Sequence, residues 1–176
     1  MPENTFSENK WYALTVPYQH EHTTKKALQS KGLETLLPVY RSLRRWSDRA
    51  KEVETPLFAG YVLCRFCLND RIQVMDTPGV AKIVGFGGAP AALEDSDVAA
   101  IHQLVASKTP LGPWPYLNTG DRVRVERGPM RGLEGVLLRT KDAFRLVIGV
   151  ELLQRSIVAE VEREAVVPIG HGKRPQ

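Results

Sequence analysis

The chain has 176 residues, 43% of them hydrophobic and 25% charged, with a formal net charge of +4. These values are ordinary for a globular protein of one medium-sized or two small domains, and the mild basic excess permits a polyanionic partner. No apolar run approaches the roughly 18 residues that cross a bilayer, and residues 1–10 lack an apolar signal core. We therefore expect a cytoplasmic protein with no membrane partner.

The first half of the chain predicts alternating strands and helices. Trp11–Val16 is aromatic and β-branched, which favours a strand, and His20–Lys31 predicts a helix that stops at Gly32. The further predicted elements are strands at Leu33–Tyr40, Leu57–Phe66 and Val80–Phe86, a short helix at Asn69–Met75 and an amphipathic helix from Glu94 to Ala106. This order predicts an α+β fold with a mostly antiparallel sheet flanked by helices.

A strongly basic segment interrupts this pattern. Arg41–Thr55 has almost no apolar content, so we expect a protruding hairpin or loop. Guanidinium groups fork onto phosphates, and an aromatic ring can stack on an unpaired base. The candidate nucleic-acid-binding residues are therefore the five basic side chains of the segment and its tryptophan: Arg41, Arg44, Arg45, Trp46, Arg49 and Lys51. A solvated charged hairpin without a ligand is the alternative.

The two cysteines, Cys64 and Cys67, have the C-x-x-C spacing of zinc and redox pairs. They lie in a predicted strand, however, where positions i and i+3 face opposite sides. No second cysteine pair exists, and the four histidines have unrelated spacings. We therefore expect core thiols, no metal and no cofactor, and since no catalytic constellation can be assembled, we do not expect an enzyme.

The second half predicts an all-β region after a proline-rich connector. Ser107–Pro115 holds three prolines and a glycine, which favours a stiff extended segment. Five short predicted strands follow, at Asp121–Glu126, Leu133–Arg139, Phe144–Val150, Ser156–Val161 and Ala165–Val167. Short strands with tight turns are typical of a small five-stranded barrel.

The segment Gly120–Val136 is the most informative of the chain. Val123 and Val125 alternate with charged residues as in a half-buried strand, and Gly128-Pro129 then breaks the strand before a second one begins. This pattern resembles the KOW motif of SH3-like barrels in transcription and ribosomal proteins.

An α+β block followed by a KOW barrel resembles the NusG family of bacterial transcription elongation factors. Trp11-Tyr12 at the first strand, Pro56–Val62 at a central strand and Thr77–Val80 before the last strand are similar to family signatures, although Ala59 replaces the usual proline. The resemblance implies an NGN-like polymerase-binding domain at 1–107, a linker at 108–116, an SH3-like KOW barrel at 117–170 and a tail at 171–176.

Two features resemble the specialised paralogues of this family, of the RfaH-like or capsule-operon type. Ala100–Leu104 is similar to the corresponding helix of those paralogues. Leu152–Ser156 stands where housekeeping members carry an aromatic residue that meets the termination factor Rho and a small-subunit ribosomal protein. The loss of that aromatic argues against engagement of Rho.

The resemblance also implies a mechanism. The N-terminal domain would bind the clamp helices of RNA polymerase and suppress pausing or termination, and the hairpin would contact DNA of the transcription bubble, with sequence-specific reading left open. The implied polymerase-binding residues form an exposed apolar hollow: Phe58, Tyr61, Leu63 and Phe86, with Ile101 and Leu104 at its rim. For Leu63, Ile101 and Leu104 a core position is an equal alternative.

The barrel would recruit partners through Leu152, Leu153, Arg155 and Ile157, although barrel core is equally compatible with the leucines. The ribosomal protein is the expected partner of this surface, and the chain is expected to be a monomer. A ribosome-associated or RNA-binding KOW protein is the alternative function. It accounts for the barrel and the basic charge, but not for the aromatic strand entry at Phe58–Tyr61.

Overall fold

The structure is a computed structural model that describes residues 8–116 and 120–171. Within this part the chain forms two compact units. The first contains the residues up to Pro38 together with Phe58–Val98, and the second contains Val39–Leu57 together with the residues from Ala99 onward. None of the described helices is long and apolar enough to cross a lipid membrane.

Strands and helices follow one another with short connections. In chain order they are β1 (Lys10–Thr15), α1 (Glu21–Ser30), β2 (Glu34–Leu36), β3 (Val39–Arg45), β4 (Ala50–Pro56), β5 (Tyr61–Phe66), α2 (Arg71–Met75), β6 (Lys82–Ile83), β7 (Gly85–Phe86), β8 (Ala89–Pro90), α3 (Asp95–Ala106), β9 (Leu111–Pro115), β10 (Asp121–Val125), β11 (Glu134–Arg139), β12 (Phe144–Val150), β13 (Arg155–Val161) and β14 (Val166–His171). Single 3₁₀ turns lie at Leu68–Asp70, Glu151–Leu153 and Arg163–Ala165. The predicted α+β class, with a β-rich second half, is confirmed.

The first unit is built on an antiparallel sheet with the strand order β2-β5-β1-β6. Its two inner strands are buried on both faces, since Tyr12, Ala13 and Leu14 of β1 are all buried. The rings of Tyr12 and Phe66 pack with centroids 4.7 Å apart. The prediction that Leu57–Phe66 contains a central strand is therefore confirmed.

That strand begins later than predicted, because residues 58–61 form a turn. The N–H of Tyr61 donates to the carbonyl of Phe58 at 3.1 Å, and Gly60 has a φ of 82°. Residues with a Cβ rarely adopt such a positive φ, so a glycine is well suited to this position of the turn. The turn ends at Tyr61, where pairing with β1 starts.

The strand predicted over Val80–Phe86 is wrong in its extent. Lys82–Ile83 pairs with β1, and the N–H groups of the flanking Ala81 and Val84 donate to carbonyls of β1 at 2.8 Å. β7 instead turns back on β8 as a small separate hairpin. Gly87 and Gly88, with φ values of 57° and 81°, form the turn of this hairpin. Two consecutive glycines permit the tight primed turn that matches the twist of paired strands, and this signal was present in the sequence.

The second unit contains the β3–β4 hairpin and an antiparallel sheet with the strand order β14-β10-β11-β12-β13-β9. The sheet has six strands rather than the five predicted, because Leu111–Pro115 of the predicted connector pairs with β13. A proline-rich segment can form an edge strand, because the backbone positions on its outer side have no partner strand and need no N–H donor. These five residues are extended, as predicted, but they belong to the sheet.

The predicted strand–loop–strand of the KOW resemblance is confirmed in detail. After β10 the chain loops back so that the N–H of Gly132 donates to the carbonyl of Val125 at 2.8 Å. The N–H of Val125 donates to the carbonyl of Leu133 at 2.9 Å, which closes the loop. Val123 and Val125 are buried, whereas Arg122 and Arg124 are exposed and both contact the carboxylate of Glu134. The alternation therefore separates a core face from a charged face.

Candidate functional site

The β3–β4 hairpin carries all six predicted nucleic-acid-binding residues. Its strands pair over their full length, and the N–H of Trp46 donates to the carbonyl of Arg49 at 2.8 Å. The turn therefore consists of residues 47 and 48 alone. The prediction of a hairpin or loop at Arg41–Thr55 is confirmed as a hairpin.

Four of the six residues share one face of the hairpin. Arg44 lies directly opposite Lys51, and Trp46 and Arg49 pair across the turn two residues further along. Because side chains two residues apart project from the same side of a strand, all four project together. All four are exposed, and Trp46 exposes 63% of its surface. We call these residues the basic face.

The opposite face is electrically mixed. Arg41 and Arg45 project from it, and so do Glu52 and Glu54 of the partner strand. The guanidinium of Arg41 lies 3.7 Å from the carboxylate of Glu52, and the exposed Leu43 lies between the two arginines on this face. The strand register thus divides the six predicted nucleic-acid-binding residues into two groups. Four lie on a face without acidic side chains, and the other two share their face with glutamates.

The basic face is unfavourable in the absence of a ligand. Like charges directly opposite in an antiparallel pair are destabilising, and Arg44 and Lys51 are such a pair. None of the ion pairs among the described residues involves Arg44, Arg49 or Lys51. A phosphate backbone would relieve this repulsion, and the ring of Trp46 offers a base a stacking surface.

The implied polymerase-binding residues do not form one exposed hollow. Four of them are buried, with at most 1% exposure: Phe58, Leu63, Ile101 and Leu104. Tyr61 is half-buried and Phe86 is 72% exposed. The exposed position expected of Phe58 is wrong, because the turn before β5 directs its ring inward. For Leu63, Ile101 and Leu104 the core alternative is confirmed. The contact of these residues with RNA polymerase stays a prediction.

The first unit also exposes apolar residues that were not among the sequence-based candidates. Ile72 and Met75 of α2 are 67% and 38% exposed, and Tyr18 is 66% exposed. The signal was the i, i+3 spacing of Ile72 and Met75, which places both on one side of the helix, away from the buried Val74.

A buried carboxylate holds the Phe58–Tyr61 turn. Glu21, at the start of α1, is 2% exposed, and its Oε1 accepts a hydrogen bond from the N–H of Gly60 at 2.8 Å. The carbonyl of Gly60 accepts from the N–H of Val16 at 2.9 Å. Both polar groups of this glycine are therefore satisfied, and the direction in which Tyr61 leaves the turn is set by Glu21 and β1. Nothing in the sequence pattern pointed to this role of Glu21.

The predicted partner-binding residues of the second unit are also divided. Leu153 and Ile157 are buried in the sheet core, whereas Leu152 is half-buried and Arg155 is exposed. Ile157 lies between Ile148 of β12 and Pro113 of β9. The exposed position expected of Ile157 is therefore wrong, whereas for Leu153 the core alternative is confirmed. Leu152 with Arg155 is the accessible part of the set.

The cysteines are placed as the sequence predicted. Cys64 and Cys67 are both buried, and no disulfide joins them. Burial, with a smaller contribution from the carboxylate of Glu34, raises the pKa of the Cys64 thiol to about 12. A thiol of this kind is protonated and inert near neutral pH. Among residues 8–116 and 120–171, no three histidine, cysteine or acidic side chains are grouped so as to hold a metal ion.

The arrangement of an α+β unit with a β-rich unit ending in a KOW-like sheet is the architecture of a class of transcription factors. The family model described as "Transcription termination factor nusG" matches residues 9–102. The chain therefore belongs to the NusG family, a family of transcription termination and antitermination factors rather than of enzymes.

Relatives of similar length support the same assignment. The transcription termination/antitermination protein NusG of Campylobacter jejuni is 24% identical over 168 residues, covering 88% of this chain and 94% of that protein. The protein of the same description from Halalkalibacterium halodurans is 25% identical over 170 residues, covering 88% and 96%. The solved structure titled "Domain interaction in Thermotoga maritima NusG" is similar with a TM-score of 0.55 at 22% identity, covering 93% of this chain and 98% of that one. This likeness supports the fold.

Proposed function

We propose that this protein is a cytoplasmic transcription elongation and antitermination factor that binds the clamp helices of RNA polymerase through residues 1–107 and suppresses pausing or termination. Residues 117–170 recruit a further partner, a small-subunit ribosomal protein, through the accessible Leu152 and Arg155. The operon-specific, RfaH-like type of factor is favoured over the housekeeping type, because Leu152–Ser156 lacks the aromatic of the latter. Membership in the NusG family supports this role over that of a ribosomal KOW protein.

One observation carries the proposed DNA contact. The basic face brings Arg44, Arg49 and Lys51 together beside Trp46 with no acidic side chain on that side of either strand. A duplex hides its bases, whereas the displaced strand of a transcription bubble presents both phosphates and unstacked bases. The combination of cations and an exposed ring therefore fits a single strand at the edge of the bubble.

The two faces of the hairpin supply a matched test. Arg44→Gln/Lys51→Gln removes two charges from the basic face, and Arg41→Gln/Arg45→Gln removes the same charge from the mixed face. We expect the first variant to lower the slope of log affinity against log salt by about 1.4 for single-stranded DNA, since each lost phosphate contact accounts for roughly 0.7. The second variant should change the slope much less. Fluorescence anisotropy of a labelled oligonucleotide, titrated at several salt concentrations, measures both.

Trp46→Ala tests the stacking contribution separately. Stacking of one base on an aromatic side chain is worth about 1–3 kcal/mol, so affinity should fall by roughly five-fold or more at constant salt slope. Equal slopes for the two charge variants, together with unchanged affinity of Trp46→Ala, would remove the hairpin from the proposed DNA contact.

The polymerase contact is tested with the assembled complex. In vitro transcription on a paused template, with and without Rho, should show shortened pauses when the full chain is added. Capture of cell extract on the immobilised chain should retrieve RNA polymerase. Retrieval of ribosomal particles without polymerase would favour the RNA-binding alternative.

A further inference from the structure

A groove of the second unit lies outside the candidate sets for binding DNA, polymerase and the ribosomal protein. Two adjoining cavities of about 310 Å³ and 460 Å³ share part of their lining. The shared residues are Thr109, Glu160, Val161, Glu162 and Glu164. We call this surface the acidic groove.

The base of the acidic groove is apolar and held by backbone hydrogen bonds. Val125 and Met130 are buried beneath it, and Val161 and Ala165 are half-buried in its wall. The carbonyl of Ala165 accepts from the N–H of Glu126 at 2.7 Å, which ties the 3₁₀ turn at Arg163–Ala165 to the end of β10. The groove is therefore part of the folded sheet and not of a loose loop.

Its rim is acidic although the whole chain is basic. Four exposed carboxylates line the two cavities: Asp142, Glu160, Glu162 and Glu164. None of them takes part in the ion pairs found among the described residues.

Basic residues near the groove do not neutralise these four. Arg145 is the cross-strand neighbour of Glu160 without forming an ion pair with it. Of the two arginines in the lining, Arg163 donates a hydrogen bond to the carbonyl of Val166 at 3.4 Å. Arg127 is the other. The lining therefore keeps an excess of two negative charges.

We propose that the acidic groove docks a basic segment of a partner protein, one that alternates lysine or arginine with an apolar side chain. The carboxylates of the rim would attract the cations, and the base formed by Val161, Met130 and Ala165 would bury the apolar side chain. Complementary charge selects the partner and speeds its association. A nucleic acid is disfavoured here, because its phosphates would face the same carboxylates.

This surface is separate from the proposed DNA and polymerase contacts. It shares no residue with the basic face or with Leu152 and Arg155, so its test can fail while the proposed function stands. It would allow the second unit to hold a basic protein while the hairpin engages a DNA strand.

The test uses the full chain and three labelled nine-residue peptides in fluorescence anisotropy. One peptide alternates basic residues with leucine, the second replaces each leucine with glycine, and the third replaces each basic residue with glutamine. We expect the first to bind most tightly. Glu160→Gln/Glu164→Gln should weaken its binding by about three- to ten-fold, since each exposed charge pair contributes a modest amount.

The control removes the same charge from the first unit. Asp70→Asn/Asp76→Asn, at two exposed positions that line neither cavity, should change the affinity by less than two-fold, and circular dichroism should show both variants folded. Equal losses in the two variants, or equal binding of the peptide without leucine, would mean general electrostatic attraction and overturn the proposal. Concentration-dependent dimers of the chain, lost in Glu160→Gln/Glu164→Gln, would mean that a second copy occupies the groove and would overturn it as well.

Discussion

Two neighbouring stretches of this chain, the β3–β4 hairpin and strand β5, differ in almost every respect. Nearly every side chain of the hairpin tip is exposed, whereas four of the six side chains in Tyr61–Phe66 are fully buried. Both stretches carried candidate functional residues. The charged residues of the hairpin correctly predicted an accessible surface. The aromatic and aliphatic residues of β5 predicted a strand, but the position of that strand in the sheet determined whether their side chains are exposed. The comparison shows that an apolar cluster becomes a binding surface only where the fold leaves it uncovered.

The largest expected effect is the loss of folding stability when a buried side chain next to β5 is truncated. Phe58→Ala removes a ring that is 1% exposed, so the free energy of unfolding should fall by about 3–5 kcal/mol. Phe86→Ala removes a ring that is 72% exposed and should change stability by less than about 0.5 kcal/mol. Urea denaturation of the two variants measures the difference. Similar losses in both would contradict the buried position of Phe58.

The next effect concerns the turn that leads into β5. Glu21→Ala leaves the N–H of Gly60 without its acceptor, which should cost about 1–3 kcal/mol. Glu21→Gln keeps an oxygen acceptor in place and should recover most of that loss. Chemical denaturation of the pair separates the hydrogen bond from the charge. A glutamine variant as unstable as the alanine variant would mean that the hydrogen bond is not what stabilises the turn.

A smaller effect should appear at alkaline pH through Cys64 of β5. Its folded-state pKa is raised from 9.0 to about 12, so the folded chain retains this proton where the unfolded chain loses it. The resulting stability is complete below about pH 9 and is lost as the pH rises from there towards about 12, by about 1 kcal/mol between pH 9 and 10. The stability difference between the natural chain and Cys64→Ala should therefore shrink over this window. A constant difference would contradict burial of the thiol.

The smallest effect belongs to the hairpin. Replacing Lys51 by Thr removes a cation from opposite Arg44 and should stabilise the hairpin by a few tenths of a kcal/mol, since like-charged cross-strand pairs are unfavourable. The same change should weaken single-stranded DNA binding. Hydrogen exchange of the hairpin amides measures the change in hairpin stability, and DNA titration measures the change in affinity. Destabilisation of the hairpin by this substitution would mean that repulsion between the side chains of Arg44 and Lys51 does not destabilise it.

Sequence patterns predicted well wherever one local signal decided the outcome. The alternation at Val123 and Val125, the i, i+3 spacing in α3 and the turn chemistry of the KOW-like loop all rest on neighbours within a few residues. The charge of Arg41–Lys51 likewise predicted exposure, since few arginines and lysines are fully buried.

The failures have a common physical cause, which is pairing with residues distant in sequence. Leu63 lies in a strand that pairs with β1 and β2, both tens of residues away in the chain, and Ile157 is enclosed by β12 and β9. The division of the hairpin into two faces depends on register, which composition does not reveal. The role of Glu21 depends on one hydrogen bond to Gly60 that spans 39 positions of sequence.

The edge strand β9 has a consequence for how the protein behaves in a crowded solution. Pro113 and Pro115 have no amide hydrogen, so the outer strand of the six-stranded sheet presents few donors to a strand of another molecule. A sheet rich in valine and isoleucine would otherwise be an inviting template for fibril-like stacking. The prolines of β9 thus disfavour self-assembly through this edge of the sheet.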